Sequence, residues 1–351
     1  LLKKCNLTYF TNPKVKLFLK ELNNLACMLF GSPNLLNIFK FKYYEHHFSE
    51  CRIVDIHDAS NLDSWNTYFK QGSAVDLFCV AAHYSSRYES ADNFLQEHCK
   101  DEDVKKYALY LKNNNEKQII NHFCEKNIES SDDCSISWKN MQYLWKQFIE
   151  TEKLPNVFFT TILKTKLIEK LKYDGHTDVF TDCTSKLLPT VSKFIHFWTD
   201  KIIINTLHDD NSSDNSSDND NEELEIDELC SLFTHHMKHT ICEKNMLDLI
   251  KHYYPDTYIE DDKYLVHARC KLWDKKQDIV QSLTKYKNAH SNNDKMTGGD
   301  EIPINELYQF YCKKKSKFIA SKRYFEKFIK EESDLYIVED NFIKVESFGN
   351  I

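Results

Sequence analysis

Residues 137–183 read SWKNMQYLWKQFIETEKLPNVFFTTILKTKLIEKLKYDGHTDVFTDC, and the fold turns on how they are divided. Met141, Leu144, Trp145 and Phe148 recur at three- and four-residue spacing, so they line one face of an amphipathic helix. Leu154-Pro155 interrupts it, because a proline disfavours the helical conformation of the residue before it. A second helix is expected over about 157–171, with Phe158, Ile162, Leu163 and Leu167 inward. Asp174-Gly175 is a hairpin-turn dipeptide between Leu171–Tyr173 and Asp178–Thr181.

The same order of helix, break, helix and hairpin returns twice. In residues 225–270, Leu229, Leu232, Phe233 and Met237 mark the first helix and Met246, Leu247, Ile250 and Tyr254 the second, which stops before Pro255. Strands over Thr257–Ile259 and Tyr264–Ala268 flank Glu260–Lys263. In residues 303–348, Ile304, Leu307, Tyr308 and Tyr311 mark the first helix. Ser321 is an N-cap for the second, which carries Tyr324, Phe325 and Phe328, and Leu335–Val338 and Phe342–Val345 flank a polar turn. This element order is that of a winged helix-turn-helix. The expected fold class is mostly α, an α+β chain: a helical N-terminal region followed by winged-helix-like helix-helix-β-hairpin modules.

The expected organisation has six parts. Residues 1–130 form the helical region; 131–207 and 224–289 each hold a module with a connecting helix; 303–351 hold the third module. Residues 208–223, rich in Asp, Asn and Ser with almost no apolar content, read as a disordered linker, and 290–302 as a second linker. In the first region, Asn12-Pro13 opens a helix that Gly31-Ser32-Pro33 ends, Cys51–Ile56 is a weak strand, and Asp101–Leu111 and Glu116–Lys126 are helices. Ala74–Tyr84, the most apolar segment, is expected to be a buried helix, with Cys79 a buried thiol and His83 a core histidine.

The 351 residues suffice for two to four domains, and only 6 Gly and 6 Pro argue against a large all-β fold. The net charge of −8 disfavours a uniformly basic nucleic-acid binder, but the charge is uneven, acidic over 209–228 and basic over 313–330. Twelve scattered cysteines without a CxxC pair, and no signal peptide, point to reduced thiols and an intracellular location. No apolar run approaches the roughly 20 residues of a membrane span, so no membrane partner is expected. The chain opens on Leu1, which fits a piece of a longer or processed protein.

No catalytic chemistry is visible. There is no GxxxxGK[ST], GxSxG, HExxH or DFG, and Gly298-Gly299 is isolated in a polar stretch followed by acids. No catalytic residue and no cofactor are implied. Cys230, His235, His236, His239 and Cys242 are the best metal candidates, but their spacing fits no zinc pattern, and no metal is expected. The chemistry that remains is basic. In a winged helix the second of these two helices faces the groove, and its cations contact phosphates. The third module offers Lys317, Lys322, Arg323, Lys327 and Lys330, interleaved with Tyr324 and Phe325; the first offers Lys164, Lys166 and Lys170. The second, with the acidic turn Glu260–Asp262, suits a protein partner better. DNA, duplex or single-stranded, is the expected partner. The competing reading is a protein-interaction scaffold whose lysines only solvate.

Several phrases carry a resemblance. ISWKNMQYLWKQF (136–148), SKLLPTVSKFIHFW (185–198), KLWDKK (271–276), SKRYFEKF (321–328) and, upstream, AVDLFCVAAHYSSRY (74–88) resemble the C-terminal part of the primase-helicases of large DNA viruses, the poxvirus and giant-virus kind. The resemblance implies an intracellular viral replication protein, acting at a cytoplasmic replication site among other viral replication proteins, with a ring-forming ATPase core elsewhere. The Walker motifs and the primase acidic motif are absent from this chain, so ATP hydrolysis and primer synthesis do not carry over. What the resemblance leaves is a non-catalytic DNA-binding or partner-docking segment.

Overall fold

The computed structural model describes residues 7–31, 35–41, 47–56, 74–205, 222–291, 301–313, 317–332, 337–339 and 342–344. The chain is mostly helical with small sheets, and it divides into two compact units, Leu1–Lys186 and Leu187–Ile351. The expected linkers at 208–223 and 290–302 fall largely outside the described residues, as do Gly298-Gly299, part of the basic stretch (314–316) and the turn at 340–341.

The first unit opens with a three-stranded parallel sheet of β1 (Leu7–Phe10), β2 (Phe39–Lys40) and β3 (Cys51–Val54), in the order β2-β1-β3. The N-terminal region is therefore not purely helical. Four residues such as Leu7–Phe10 are too few to show a period, and their strand character comes from distant partners, Thr8 opposite Phe39 and Leu7 opposite Cys51. Helix α1 (Lys16–Phe30) lies after β1, and Phe10, Val15 and Leu19 share a small core. It ends at Gly31, whose φ of +87° is a conformation that a side chain would resist.

Helix α2 (Ala74–Arg87) overturns the expectation of a buried segment. Val75, Leu77, Val80 and Tyr84 are exposed, Val80 at 55 %, and Cys79 and His83 are exposed too. Apolar composition says what could be buried; whether it is depends on what packs against it. Helices α3 (Ala91–Glu97), α4 (Glu102–Ala108) and α5 (Tyr110–Asn113) follow. Arg52 on β3 grips Asp92 on α3 with two parallel bonds, Nε to Oδ1 at 2.7 Å and Nη2 to Oδ2 at 2.8 Å, and Lys112 adds a third at 2.6 Å.

The rest of this unit is the first helical-hairpin module. It comprises α6 (Glu116–Asn127), β4 (Glu129–Ser137), α7 (Trp138–Thr151), α8 (Thr160–Ile168), β5 (Tyr173–Asp174) and β6 (Val179–Thr184). Asn115 and Gln118 form a capping box at the start of α6, and Ser137 caps α7 through Asn140 N at 3.3 Å. Phe123 packs edge-on against Trp145 and Phe148, with ring centroids 5.2 and 5.5 Å apart, which joins α6 to α7.

The second unit repeats this layout twice. First come α9 (Leu188–Lys201), β7 (Ile202–Ile204), β8 (Glu223–Glu225), α10 (Ile226–Met237), α11 (Glu243–Tyr253), β9 (Ile259–Glu260), β10 (Tyr264–Val266) and β11 (Ala268–Cys270). Then come α12 (Lys275–Ser291), β12 (Glu301–Pro303), α13 (Ile304–Lys313), α14 (Lys322–Glu332), β13 (Ile337–Glu339) and β14 (Phe342–Lys344). The three sheets run β4-β6-β5, β8-β10-β9 and β12-β14-β13, every pair antiparallel. In each, the strand before the two helices lies beside the last strand of the hairpin. Each module has its own apolar centre. In the third, Ile279 and Leu283 of α12 meet Leu307 and Tyr311 of α13, Phe325 and Ile329 of α14, and Ile343 of β14.

Several sequence expectations need correction. Three strands, β4, β8 and β12, stand ahead of the helix pairs where the sequence pattern marks none. In β4, ESSDDCSIS, only Ile136 is buried, so the segment looks like a polar loop until its pairing with β6 is seen. The connecting helix expected at the end of 131–207 stops at Lys201; Ile202–Ile204 is a strand paired with β11, as three β-branched residues in a row favour. Ile162, expected inward, is 42 % exposed. Asp174-Gly175 does not form a two-residue turn either: Asp178, not Gly175, takes the left-handed conformation (φ 57°), and the Asp174 carboxylate accepts from His176 N at 2.9 Å and Thr177 Oγ1 at 2.6 Å to cap a longer loop.

Candidate nucleic-acid interface

Helix α14 is where the expected basic residues come together. Each residue turns a helix by about 100°, which places Lys322, Glu326, Lys330, Arg323 and Lys327 on one arc and Tyr324, Phe325, Phe328 and Ile329 on the other. The inner set is buried; Lys322, Arg323 and Lys330 are exposed, and Lys327 and Glu326 are half-buried. Ser321 caps the helix as its sequence position suggested, its Oγ accepting from Tyr324 N at 3.2 Å. Lys317 is exposed just before this helix, 5.9 Å from the Phe318 ring centroid.

Arg323 is engaged elsewhere. Its guanidinium lies 4.2 Å from the Tyr264 ring centroid, 3.3 Å from Glu223 Oε2, and against the Glu260 carboxylate. Glu260 begins the acidic hairpin turn of the second module, so that turn has a cationic partner in the third. Lys322 pairs with Glu326 one turn on at 3.6 Å, an exposed contact of little energetic weight. Lys322 and Lys330 are exposed on the outer arc of α14, Lys327 is half-buried there, and Lys317 is exposed just before the helix.

The first module arranges its cations differently. On α8, Lys164 and Lys166 fall at opposite flanks of the outward face. Lys164 pairs with Asp178 of the hairpin loop at 2.7 Å, and its ammonium is 5.4 Å from the centroids of both Trp138 and Tyr173. The hydrogen bonds that Lys164 donates to Asp178 and Tyr173 push its pKa up. Lys166 faces Glu116 and Glu169 at 3.5 and 3.7 Å, and Lys170, beyond the end of α8, donates to Asn121. The face between these flanks carries Thr161, Ile162, Thr165 and Ile168, with Phe159 (53 % exposed) just before the helix.

A buried polar cluster beneath α14 has no signature in the local sequence. Glu228 on α10 and Lys275 at the start of α12 form an ion pair with side chains 5 % and 7 % exposed. Glu228 also accepts from Glu225 N at 2.9 Å, closing a capping box on α10, and from Ser321 N at 2.6 Å at the head of α14. Lys275 donates to Glu223 O at 2.7 Å and lies 4.4 Å from the Tyr324 ring centroid. Burial opposes both charges, pushing the Glu228 carboxyl up and the Lys275 ammonium down in pKa, while each charge counters the shift of the other. The second and third modules are thus joined by one carboxylate serving three donors. Only its E-x-x-E spacing was visible in sequence, and nothing local distinguishes Lys275 from the neighbouring Lys276.

The metal candidates do not converge: among the described residues no three His, Cys, Asp or Glu side chains lie within reach of one ion. Cys230 is buried, and burial pushes its thiol up to about 12. His239 bonds Thr190 Oγ1 at 2.8 Å, and His235 packs edge-on against Phe318. The described cysteines are all free, and no described helix is long and apolar enough to cross a membrane. The chain matches no known family, no curated protein and no solved structure.

Proposed function

We propose that the three repeats are winged-helix modules and that the chain is a non-catalytic segment of a DNA-replication protein of the viral primase-helicase kind, engaging DNA through α14 of its third module. The observation that carries this reading is the strand order. Three times a leading strand pairs with the last strand of a hairpin, with two helices between them, an order that supports the winged-helix reading. In that topology the second helix of the pair is the groove-facing one. On α14 its outer arc is basic, and its inner arc supplies the core.

A specific observation favours a second role for the first module. The outward face of α8 presents Phe159, Ile162 and Ile168 between lysines already paired with neighbours. Apolar and hydroxyl groups there suit a protein partner better than phosphates, so this module is assigned to docking. The resemblance supplies the partner class, other viral replication proteins at a cytoplasmic site.

Anisotropy of a labelled duplex, titrated with the chain over a salt series, tests the DNA reading, with a single strand of the same sequence in parallel. Affinity should fall steeply with salt, and the combined K322A, K327A and K330A substitutions should flatten the log–log slope by about 2 to 3, since each phosphate contact contributes roughly 0.9. No binding at low salt would sink the DNA assignment and leave the docking scaffold. Arg323 stays intact in this test because its loss would also strip Glu223 and Glu260 of their counter-charge.

A further inference from the structure

The second unit contains a cavity of about 720 Å³ between the β7–β11 ribbon, β8 and the start of α12. Its polar lining is unbalanced. Glu223 lines it with a side chain only 2 % exposed, and its Oε1 has no hydrogen-bond partner; Glu222 lines it beside Glu223, and its Oε2 has none either. Arg269 Nε stands 3.6 Å from Glu222 Oε2, beyond hydrogen-bond reach. Lys275 and Lys271 on the wall are engaged elsewhere, Lys275 on Glu228 and Glu223 O and Lys271 on Asp200 O at 2.8 Å, and Lys276 acts on Glu222 through its charge. Neither orphaned oxygen, Glu223 Oε1 or Glu222 Oε2, has a donor.

We infer that this cavity is a binding site for an alkylammonium or guanidinium group, received by the paired carboxylates of Glu222 and Glu223. Buried acceptors without partners are costly, and a charged N–H donor is what satisfies them best. The cavity is large enough for a small organic cation. A metal ion is disfavoured because no third His, Cys, Asp or Glu ligand stands within reach among the described residues. A phosphate or carboxylate ligand would add negative charge beside the buried carboxylate of Glu223 and the half-buried one of Glu222. One chemistry here has two sources, a free polyamine or the Arg or Lys side chain of a bound peptide. The site does not depend on the nucleic-acid reading.

Calorimetric titration of the full chain at physiological salt, with spermidine and separately with a capped Gly-Arg-Gly peptide, distinguishes the sources. One of them should bind with a stoichiometry of one. Glu223→Gln and Glu222→Gln should each weaken it by about tenfold or more, the loss expected for a charged hydrogen bond. Glu222 is paired only loosely with Arg269, so Glu222→Gln keeps the test informative if Glu223→Gln, which also loses the Arg323 contact, unfolds. Thermal melting of each variant without ligand shows whether it is folded. No binding of either probe to the wild-type chain overturns the inference. So does binding that both variants retain undiminished, which would place the cation elsewhere on an acidic chain.

Discussion

Asp92 shows how a single side chain can set the acid tolerance of the first unit. The hydrogen bond from Arg52, with a second from Lys112, holds its carboxyl at about 2, below the usual 3.8. Because the folded value is the lower one, Asp92 contributes its stabilisation fully above about pH 4, and the contribution is lost as the pH falls from there towards 2. The shift corresponds to about 1–2 kcal/mol once solvent screening at this partly exposed site is allowed for. Asp92→Asn should lower stability by about that amount at pH 7 and remove the corresponding drop between pH 4 and 2. Urea denaturation of both proteins at a series of pH values measures it. Parallel curves down to pH 2 would mean the Arg52–Asp92–Lys112 contact stabilises nothing. Such a pair is not legible in the sequence, because Arg52 and Asp92 are forty positions apart and neither belongs to a motif.

The elements divide into those written locally and those fixed by distant partners. Helices α6, α7, α10, α11, α13 and α14 lie where apolar spacing, caps and breaks put them, since a helix is stabilised within its own span. Strands β4, β8 and β12 exist because of β6, β10 and β14. Glu129 pairs with Thr184, and Glu223 with Val266, so no local pattern could name them. The basic arc of α14 could be read from spacing, whereas the engagement of Arg323 and the outward turn of Ile162 could not. The turn joining β9 to β10 is instead a local feature with a local test. Asp261 and Asp262 both take left-handed φ, 52° and 55°, and Lys263 N bonds Glu260 O at 2.9 Å, the arrangement that Asn-Gly fills with least strain. Replacing them together (Asp261→Asn, Asp262→Gly) should stabilise the chain by about 1 kcal/mol. The loss of the exposed Lys251–Asp262 pair offsets little of this. A midpoint in urea that falls rather than rises would show that the acids stabilise this turn through contacts other than its backbone.

In the whole molecule, three copies of one topology have come to differ in how they are held. The first module builds its core with α6 inside the first unit, and only Ser185–Leu187 separate β6 from α9. The second and third share a unit, and Glu228 binds both: its own α10, Lys275 of α12, and the head of α14. Breaking a buried ion pair by removing one partner typically costs about 3–5 kcal/mol, because the remaining charge stays desolvated. That cost predicts where the chain can be cut. Fragments 7–186 and 187–351 should each unfold cooperatively by circular dichroism, since each retains its own cores. Fragment 187–270 should not fold stably: it keeps Glu228 at a former interior surface but loses Lys275 and Ser321. The comparison of 187–351 with 187–270 decides the point. Equal melting temperatures would mean that the two modules are neighbours without dependence, and that the acidic turn of the second, freed from Arg323, is available to a separate partner. A marked loss in the shorter fragment would make the second module a support for α14, holding its basic face outward rather than binding anything itself.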